Sequence, residues 1–251
     1  MRPFVVAANW KMNKSPRETV EFLKSILPKL EARPKGREVI FFVPTIDLWV
    51  TQEVLRESSV KWGAQNCHFE LKGAFTGENS PAVVAEIGTS YCLVGHSERR
   101  ALFQESDSVT GLKVKALQVV DVVPMLCVGE SLSEREAGKT DEIIVRQLRN
   151  GLAERDPAKE LMVAYEPVWA IGTGKVATPE QAQKAHQTLR KALSELGGIE
   201  LSDATPILYG GSVKPDNAAE IARQSEIDGF LVGGASLEIA TFLPLCTFAK
   251  G

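Results

Sequence analysis

The chain has 251 residues, 44% of them hydrophobic and 24% charged, which suits one globular domain with a large core spanning residues 1–251. A formal net charge of −3 sets aside the clustered lysines and arginines that phosphate contacts on a nucleic acid require, so no nucleic-acid partner is expected. No stretch approaches the roughly 20 apolar residues of a membrane span, and the four cysteines, Cys67, Cys92, Cys127 and Cys246, are too scattered for a C-x-x-C pair or a zinc cluster.

These bounds describe a cytoplasmic protein with reduced thiols, no metal and no membrane association. The start, MRPFVVAANWKMNK, returns to charge at Lys11 and has no secretory cleavage site.

In chain order, short apolar runs alternate with segments of helical period. The runs are Phe4 to Ala8, Val39 to Val43, Val60 to Ala64, Tyr91 to Val94, Val122 to Cys127, Leu161 to Tyr165, Pro206 to Tyr209 and Gly229 to Val232. Most are continuously apolar, as expected of parallel strands covered on both sides.

The first helix opens on a capping box, Ser15-Pro16-Arg17-Glu18, and carries Val20, Leu23, Ile26, Leu27 and Leu30 on one face. Thr178-Pro179-Glu180-Gln181 repeats the device before the stripe Ala182, Ala185, Leu189, Leu193 and Leu196, which Gly197-Gly198 should end. Further helices are expected over about Leu48 to Glu57, Ser80 to Gly88, Ser106 to Val119, Asp141 to Glu154, Pro215 to Gln224 and Ser236 to Phe248. Eight strand–helix units in this length match a (β/α)₈ barrel, with a doubly wound open sheet as the alternative. In a barrel the chemistry belongs at the C-terminal ends of the strands.

At those ends stand Asn9 and Lys11 after the first strand, His96 after the fourth and Glu166 after the sixth. Gly210-Gly211-Ser212 and Gly233-Gly234 follow the seventh and eighth. Consecutive glycines let bare backbone N–H groups approach an anion, and their placement after strands seven and eight favours a phosphate site over mere tight turns. Taken alone, Lys11 reads as a solvated lysine. Across the mouth from a phosphate site, an inward ammonium explains it better.

A helix starting near Ser97 would disfavour a charged imidazole, so His96 is expected to act as a neutral hydrogen-bond donor to a carbonyl. Its rivals are His68, in a loop, and His186, beside a helix stripe. Glu166 is the candidate base, with Val163, Tyr165, Val168 and Trp169 expected to desolvate it partly and strengthen it; the plainer reading is a salt-bridged glutamate. The segment after it, Pro167, Val168, Trp169, Ala170, Ile171, Gly172, Thr173, Gly174, Lys175, Val176 and Ala177, places two glycines between stiffer ends. That composition suits a lid that excludes water when closed. Ser97, Glu98 and Cys127 are expected in support: Glu98 has Lys11, Arg99 or Arg100 as possible partners, and Cys127 reads as a packed thiol rather than a nucleophile.

AANWKMN (residues 7–13), VGHSERR (94–100), AYEPVWAIGTGK (164–175) and YGGSV (209–213) together resemble the triosephosphate isomerase family, from residue 7 to about 236 in order. The resemblance implies a TIM barrel that interconverts dihydroxyacetone phosphate and D-glyceraldehyde 3-phosphate through an enediolate, in glycolysis and gluconeogenesis, without cofactor or metal. It implies that Glu166 moves the proton between carbons and neutral His96 polarises the carbonyl, while Lys11 and Asn9 stabilise negative charge. It also implies that backbone N–H groups of Gly172, Ser212, Gly233 and Gly234 hold the phosphate.

QNCHFELKGAFTGE (65–78) is similar to the family's long third loop, whose tip around Thr76 would reach a partner subunit near Asn13 and His96, implying a homodimer. Two departures stand out: Phe75 where tyrosine is common, and Gln104 where glycine is frequent. A different phosphate-binding barrel enzyme, an aldolase or lyase, is the rival activity. A Schiff-base aldolase would need a lysine on a central strand, whereas Lys113 and Lys115 fall in a helical segment. A barrel kept only for binding would have lost the base or the lid, and both are present.

Overall fold

The computed structural model describes residues 2–171 and 176–249. Among them eight parallel strands close into a barrel in sequence order: β1 (Phe4–Asn9), β2 (Arg37–Val43), β3 (Lys61–Ala64), β4 (Tyr91–Val94), β5 (Val123–Val128), β6 (Met162–Tyr165), β7 (Ile207–Tyr209) and β8 (Gly229–Val232). β8 returns to β1 with Val5 opposite Gly229 and Ala8 opposite Val232, so no open edge remains and the doubly wound alternative is set aside.

The runs are apolar throughout because both faces of each strand are buried. Val5, Ala7, Ile40, Phe42, Leu93, Met125, Cys127, Ala164, Leu208 and Leu231 point into the barrel. Their neighbours Val6, Ala8, Val39, Phe41, Val94, Leu126, Val163 and Tyr209 face the surrounding helices. This is strand alternation with two apolar destinations.

Between the strands lie α1 (Pro16–Leu30), α2 (Leu48–Leu55), α3 (Pro81–Glu86), α4 (Ser97–Leu102), α5 (Asp107–Val119), α6 (Leu132–Glu136), α7 (Thr140–Gly151), α8 (Pro179–Ala204), α9 (Ala218–Ala222) and α10 (Ile239–Thr247). Both predicted capping boxes form, at Ser15/Glu18 and Thr178/Gln181. The Gly197-Gly198 stop differs in outcome. Gly198 takes φ 74° and breaks the helical path, but the chain resumes helical turns to Ala204 instead of passing directly to β7. Arg190 on the first part donates to the Ser202 and Thr205 carbonyls and ties the second part back.

Cys67, Cys92, Cys127 and Cys246 are all free and buried. No helix among the described residues is long and apolar enough to cross a membrane.

Candidate functional site

After β1 ends at Asn9 the chain turns through Lys11, whose φ of 53° lies in the left-handed region that L side chains seldom adopt. Hydrogen bonds hold it there. Lys11 N–H donates to Asn9 Oδ1 at 3.0 Å, and Gln65 Nε2 donates to the carbonyls of Lys11 at 2.9 Å and Phe42 at 3.0 Å. The Lys11 ammonium lies 2.5 Å from Glu98 Oε1, which settles the choice among the three possible partners of Glu98. Arg99 pairs with Glu105 and Arg100 with Asp107.

β4 delivers His96 to the start of α4, where it is the N-cap residue. Its Nδ1 accepts the Glu98 N–H at 3.2 Å, and its Nε2 lies 2.9 Å from Glu166 Oε1. Burial lowers the imidazole pKa, while the charge and hydrogen bond of Glu166 oppose it and give a net rise. The backbone N–H on Nδ1 decides the tautomer: with Nδ1 accepting, the proton sits on Nε2 and the ring is neutral while that bond lasts.

Glu166 follows β6 and is 2% exposed. Its Oε1 accepts from His96 Nε2 and its Oε2 accepts the Ser97 N–H at 2.9 Å. Burial pushes the carboxyl pKa up, but the charge and hydrogen bond of His96, the Ser97 N–H and Lys11 outweigh it, and the group is held below the usual carboxylate value. The sequence reading expected apolar neighbours to strengthen this base. The structure differs because Val163 and Tyr165 face the helices, leaving Glu166 to meet hydrogen-bond donors.

Asn9, Lys11, His96 and Glu166 share one cavity of about 430 Å³ with Gly210, Gly211, Ser212, Gly233 and Gly234. Asn13, Ala170, Ile171, Lys214 and Leu231 complete much of its wall. Gly233 comes close to the lysine, an ideal Cβ there lying 3.5 Å from Lys11 Cε. Cys127 is fully buried in the barrel, and burial pushes its thiol pKa well up, as a packed thiol requires. His68 stacks on Phe69 and packs against the Phe75 ring, and His186 is a buried residue of α8, so neither joins the cavity.

The expected lid is anchored at its first hinge. Pro167 leads into a single 3₁₀ turn, Val168–Ala170. The buried Trp169 donates Nε1–H to Glu130 Oε1 at 2.9 Å, and the Tyr165 hydroxyl donates to the same carboxylate at 3.1 Å. Arg135 supplies the countercharge at 3.3 Å and lies over the Trp169 ring, 4.3 Å from its centroid. Val176 is half-exposed and Ala177 is buried. Gly172, Thr173, Gly174 and Lys175 lie outside the described residues.

Sequence reasoning missed Glu130, Arg135 and Gln65. Glu130 was findable, since it follows β5 as Glu166 follows β6. Nothing local points from Arg135 to Trp169, or from Gln65 to Lys11, which lie 34 and 54 positions apart. The departure at Gln104 has a physical meaning: its φ is 54°, a conformation that glycine adopts without strain.

The family model for triosephosphate isomerase matches residues 4–249. A protein named triosephosphate isomerase from Bdellovibrio bacteriovorus is 52% identical over 238 residues, covering 95% of this chain and 96% of that one. One of the same name from Carboxydothermus hydrogenoformans is 47% identical over 244 residues, covering 96% and 97%. Another from Fusobacterium nucleatum is 44% identical over 247 residues, covering 98% of each.

Proposed function

From the premise that the chain belongs to the triosephosphate isomerase family and interconverts dihydroxyacetone phosphate and D-glyceraldehyde 3-phosphate, we propose that Glu166 is the base. The observation that carries this is the pairing of the buried Glu166 carboxylate with His96 Nε2 at the cavity wall, across from the glycine turns. The carboxylate takes the proton from the carbon next to the carbonyl and returns it to the neighbouring carbon. His96 donates Nε2–H to the oxygen that becomes negative, and Lys11 and Asn9 stabilise the same charge.

In the structure both Glu166 oxygens are engaged, one by His96 and one by Ser97. Catalysis therefore needs the carboxylate to leave these partners and swing over the substrate, whose carbonyl oxygen then takes the His96 proton donor. Closure of the segment from Pro167 to Ala177 would drive that swing and exclude water. Such gated loops are well represented by this family itself. Water exclusion matters because an enediolate phosphate exposed to solvent can eliminate phosphate. The phosphate is held by backbone N–H groups of Ser212, Gly233 and Gly234, and by Gly172 from the lid.

The protein acts as a homodimer in the cytoplasm. Met12, Ile46, Trp49, Phe75, Leu102 and Phe103 are between 42% and 96% exposed, all in or near loops that follow β1 to β4. Such a concentration of large apolar side chains suits burial against a second copy. Sedimentation of the purified protein should give twice the chain mass, and Phe103→Glu with Met12→Glu should give the single chain; a wild-type monomer would overturn the dimer.

The site reading is tested by turnover in deuterium oxide. Proton transfer through a carboxylate that exchanges with solvent puts deuterium on the reacting carbon of the product. Glu166→Gln, which cannot take up the proton, should lose both turnover and deuterium uptake; turnover retained in that variant would remove the base.

A further inference from the structure

The position of Glu166 is set by a stretch of backbone outside its own strand. Glu166 N–H donates to the Val128 carbonyl at 2.8 Å, and Val168 N–H donates to the Glu130 carbonyl at 3.1 Å. Residues 128–130 thus form a rail along which both the base and the first lid hinge are hung.

Gly129, at the middle of the rail, touches the base's own peptide. An ideal Cβ at Gly129 would lie 1.7 Å from the Glu166 carbonyl oxygen, so the two backbones are in contact. Any drift of the Gly129 peptide is passed directly to Glu166.

β5 ends at Val128, so Gly129 lies past the sheet's last paired residue. One side chain takes both of its backbone groups instead. Gly129 N–H donates to Gln147 Oε1 at 2.7 Å, and Gln147 Nε2 donates to the Gly129 carbonyl at 3.1 Å. A carboxamide carries an acceptor and a donor side by side, which lets one side chain take both groups at once.

Gln147 is 7% exposed and sits in the buried stripe of α7, with Ile143, Ile144, Leu148 and Gly151. Helical period alone would put an apolar residue there. The helix has little freedom to slide, because an ideal Cβ at Gly151 would lie 2.6 Å from Leu126 Cδ2 on β5. A rigid element of the outer ring therefore reaches through the helix–sheet interface to brace the rail.

We propose that Gln147 is a positioning residue for the reaction: by clamping the Gly129 peptide it fixes where the Glu166 carboxylate stands relative to the bound substrate. The inference rests on the reading of Glu166 as the base. Loss of the clamp should act on kcat more than on KM, because the phosphate grip comes from the turns after β7 and β8. A side chain that merely satisfied buried polar groups would affect thermal stability and leave kcat alone.

The test is a double-mutant cycle with Gln147→Leu and Glu166→Asp, reading kcat, KM, the Kd of the unreactive ester glycerol 3-phosphate, and Tm. Gln147→Leu is expected to lower kcat about tenfold, with KM and Kd within about twofold. With the carboxylate already retracted in Glu166→Asp, the same change should cost less than about threefold. Gln147→Glu keeps an acceptor for the Gly129 N–H and should fall between wild type and Gln147→Leu; it carries the test should the leucine variant not fold. Unchanged kcat in a folded Gln147 variant, or an equal loss in both backgrounds, overturns the proposal. Near-normal kcat in Glu166→Asp alone would instead overturn the base, so the two failures are told apart.

Discussion

His96 and Glu166 hold one another at 2.9 Å across the barrel mouth, with the imidazole fixed from behind by the Glu98 N–H and the carboxylate fixed from its other oxygen by the Ser97 N–H. Both members of the pair are therefore oriented by the first turn of α4. The same three residues, His96 to Glu98, also bring the Glu98 carboxylate to Lys11, so one short helix start organises three of the charged or polar groups at the mouth.

Shortening the base tests its reach. Glu166→Asp retracts the carboxylate by about one methylene, and kcat should fall about 10²-fold or more, while the affinity for glycerol 3-phosphate changes little. Steady-state kinetics with near-normal kcat would remove Glu166 from the proton-transfer step.

Lys11 places an ammonium beside Glu98 on the cavity wall. Lys11→Met keeps the stem and removes the charge. A charge-assisted hydrogen bond to the substrate is worth roughly 1.5–3 kcal/mol, so KM and the Kd of phosphate esters should rise about 10- to 100-fold. Unchanged affinity in a binding titration would return Lys11 to the role of a surface residue.

The turn Val168–Ala170, at the start of the proposed lid, hangs on Glu130, whose side chain is fully buried and faces Arg135. Arg135→Leu leaves that carboxylate without its cation and strips the guanidinium from the Trp169 ring. Stability should drop by about 2 kcal/mol, seen as a lower Tm, and kcat should fall severalfold because Trp169 loses its fixed seat. Wild-type values of both would show that Tyr165 and Trp169 suffice to hold Glu130.

His186 carries a pH signature of the fold. Burial depresses its pKa from 6.5 to about 4, against the opposing hydrogen bond from Nδ1 to the Glu226 carbonyl. As pH falls the unfolded chain takes up this proton first, so the stability due to neutral His186 is complete above about 6.5 and is lost on descending towards about 4. The full loss is about 3 kcal/mol. Thermal denaturation of His186→Gln between pH 7 and pH 5 should show a shallower slope than wild type; identical slopes would assign the acid sensitivity elsewhere.

Much of the architecture was legible in order along the chain. Val5-Val6-Ala7-Ala8 reads as a strand because both its faces are buried, and Ser15 and Glu18 announce a helix start because the capping box is a contact between residues three apart. Glu166, His96, Lys11 and the glycine pairs were found by one rule, that a barrel gathers the ends of its strands at one rim. The same rule, applied evenly, reaches Glu130. It fails for Gln147, which sits mid-helix and looks like an ordinary polar residue until its partner is known.

The sequence by itself determined which residues could do chemistry and on which end of the fold they would stand, because strand period, capping and glycine turns are local properties written within a few positions. Only the tertiary structure decided how they meet. Closure of β8 onto β1 brings Lys11 to Glu98, 87 positions away, and His96 to Glu166, 70 positions away. Barrel closure also brings the donors that keep Glu166 ionised where its neighbours in sequence had suggested a stronger base. The physical reason is that hydrogen bonds and charge pairing act over a few ångströms of space, and the chain's order does not specify that distance until the barrel has closed.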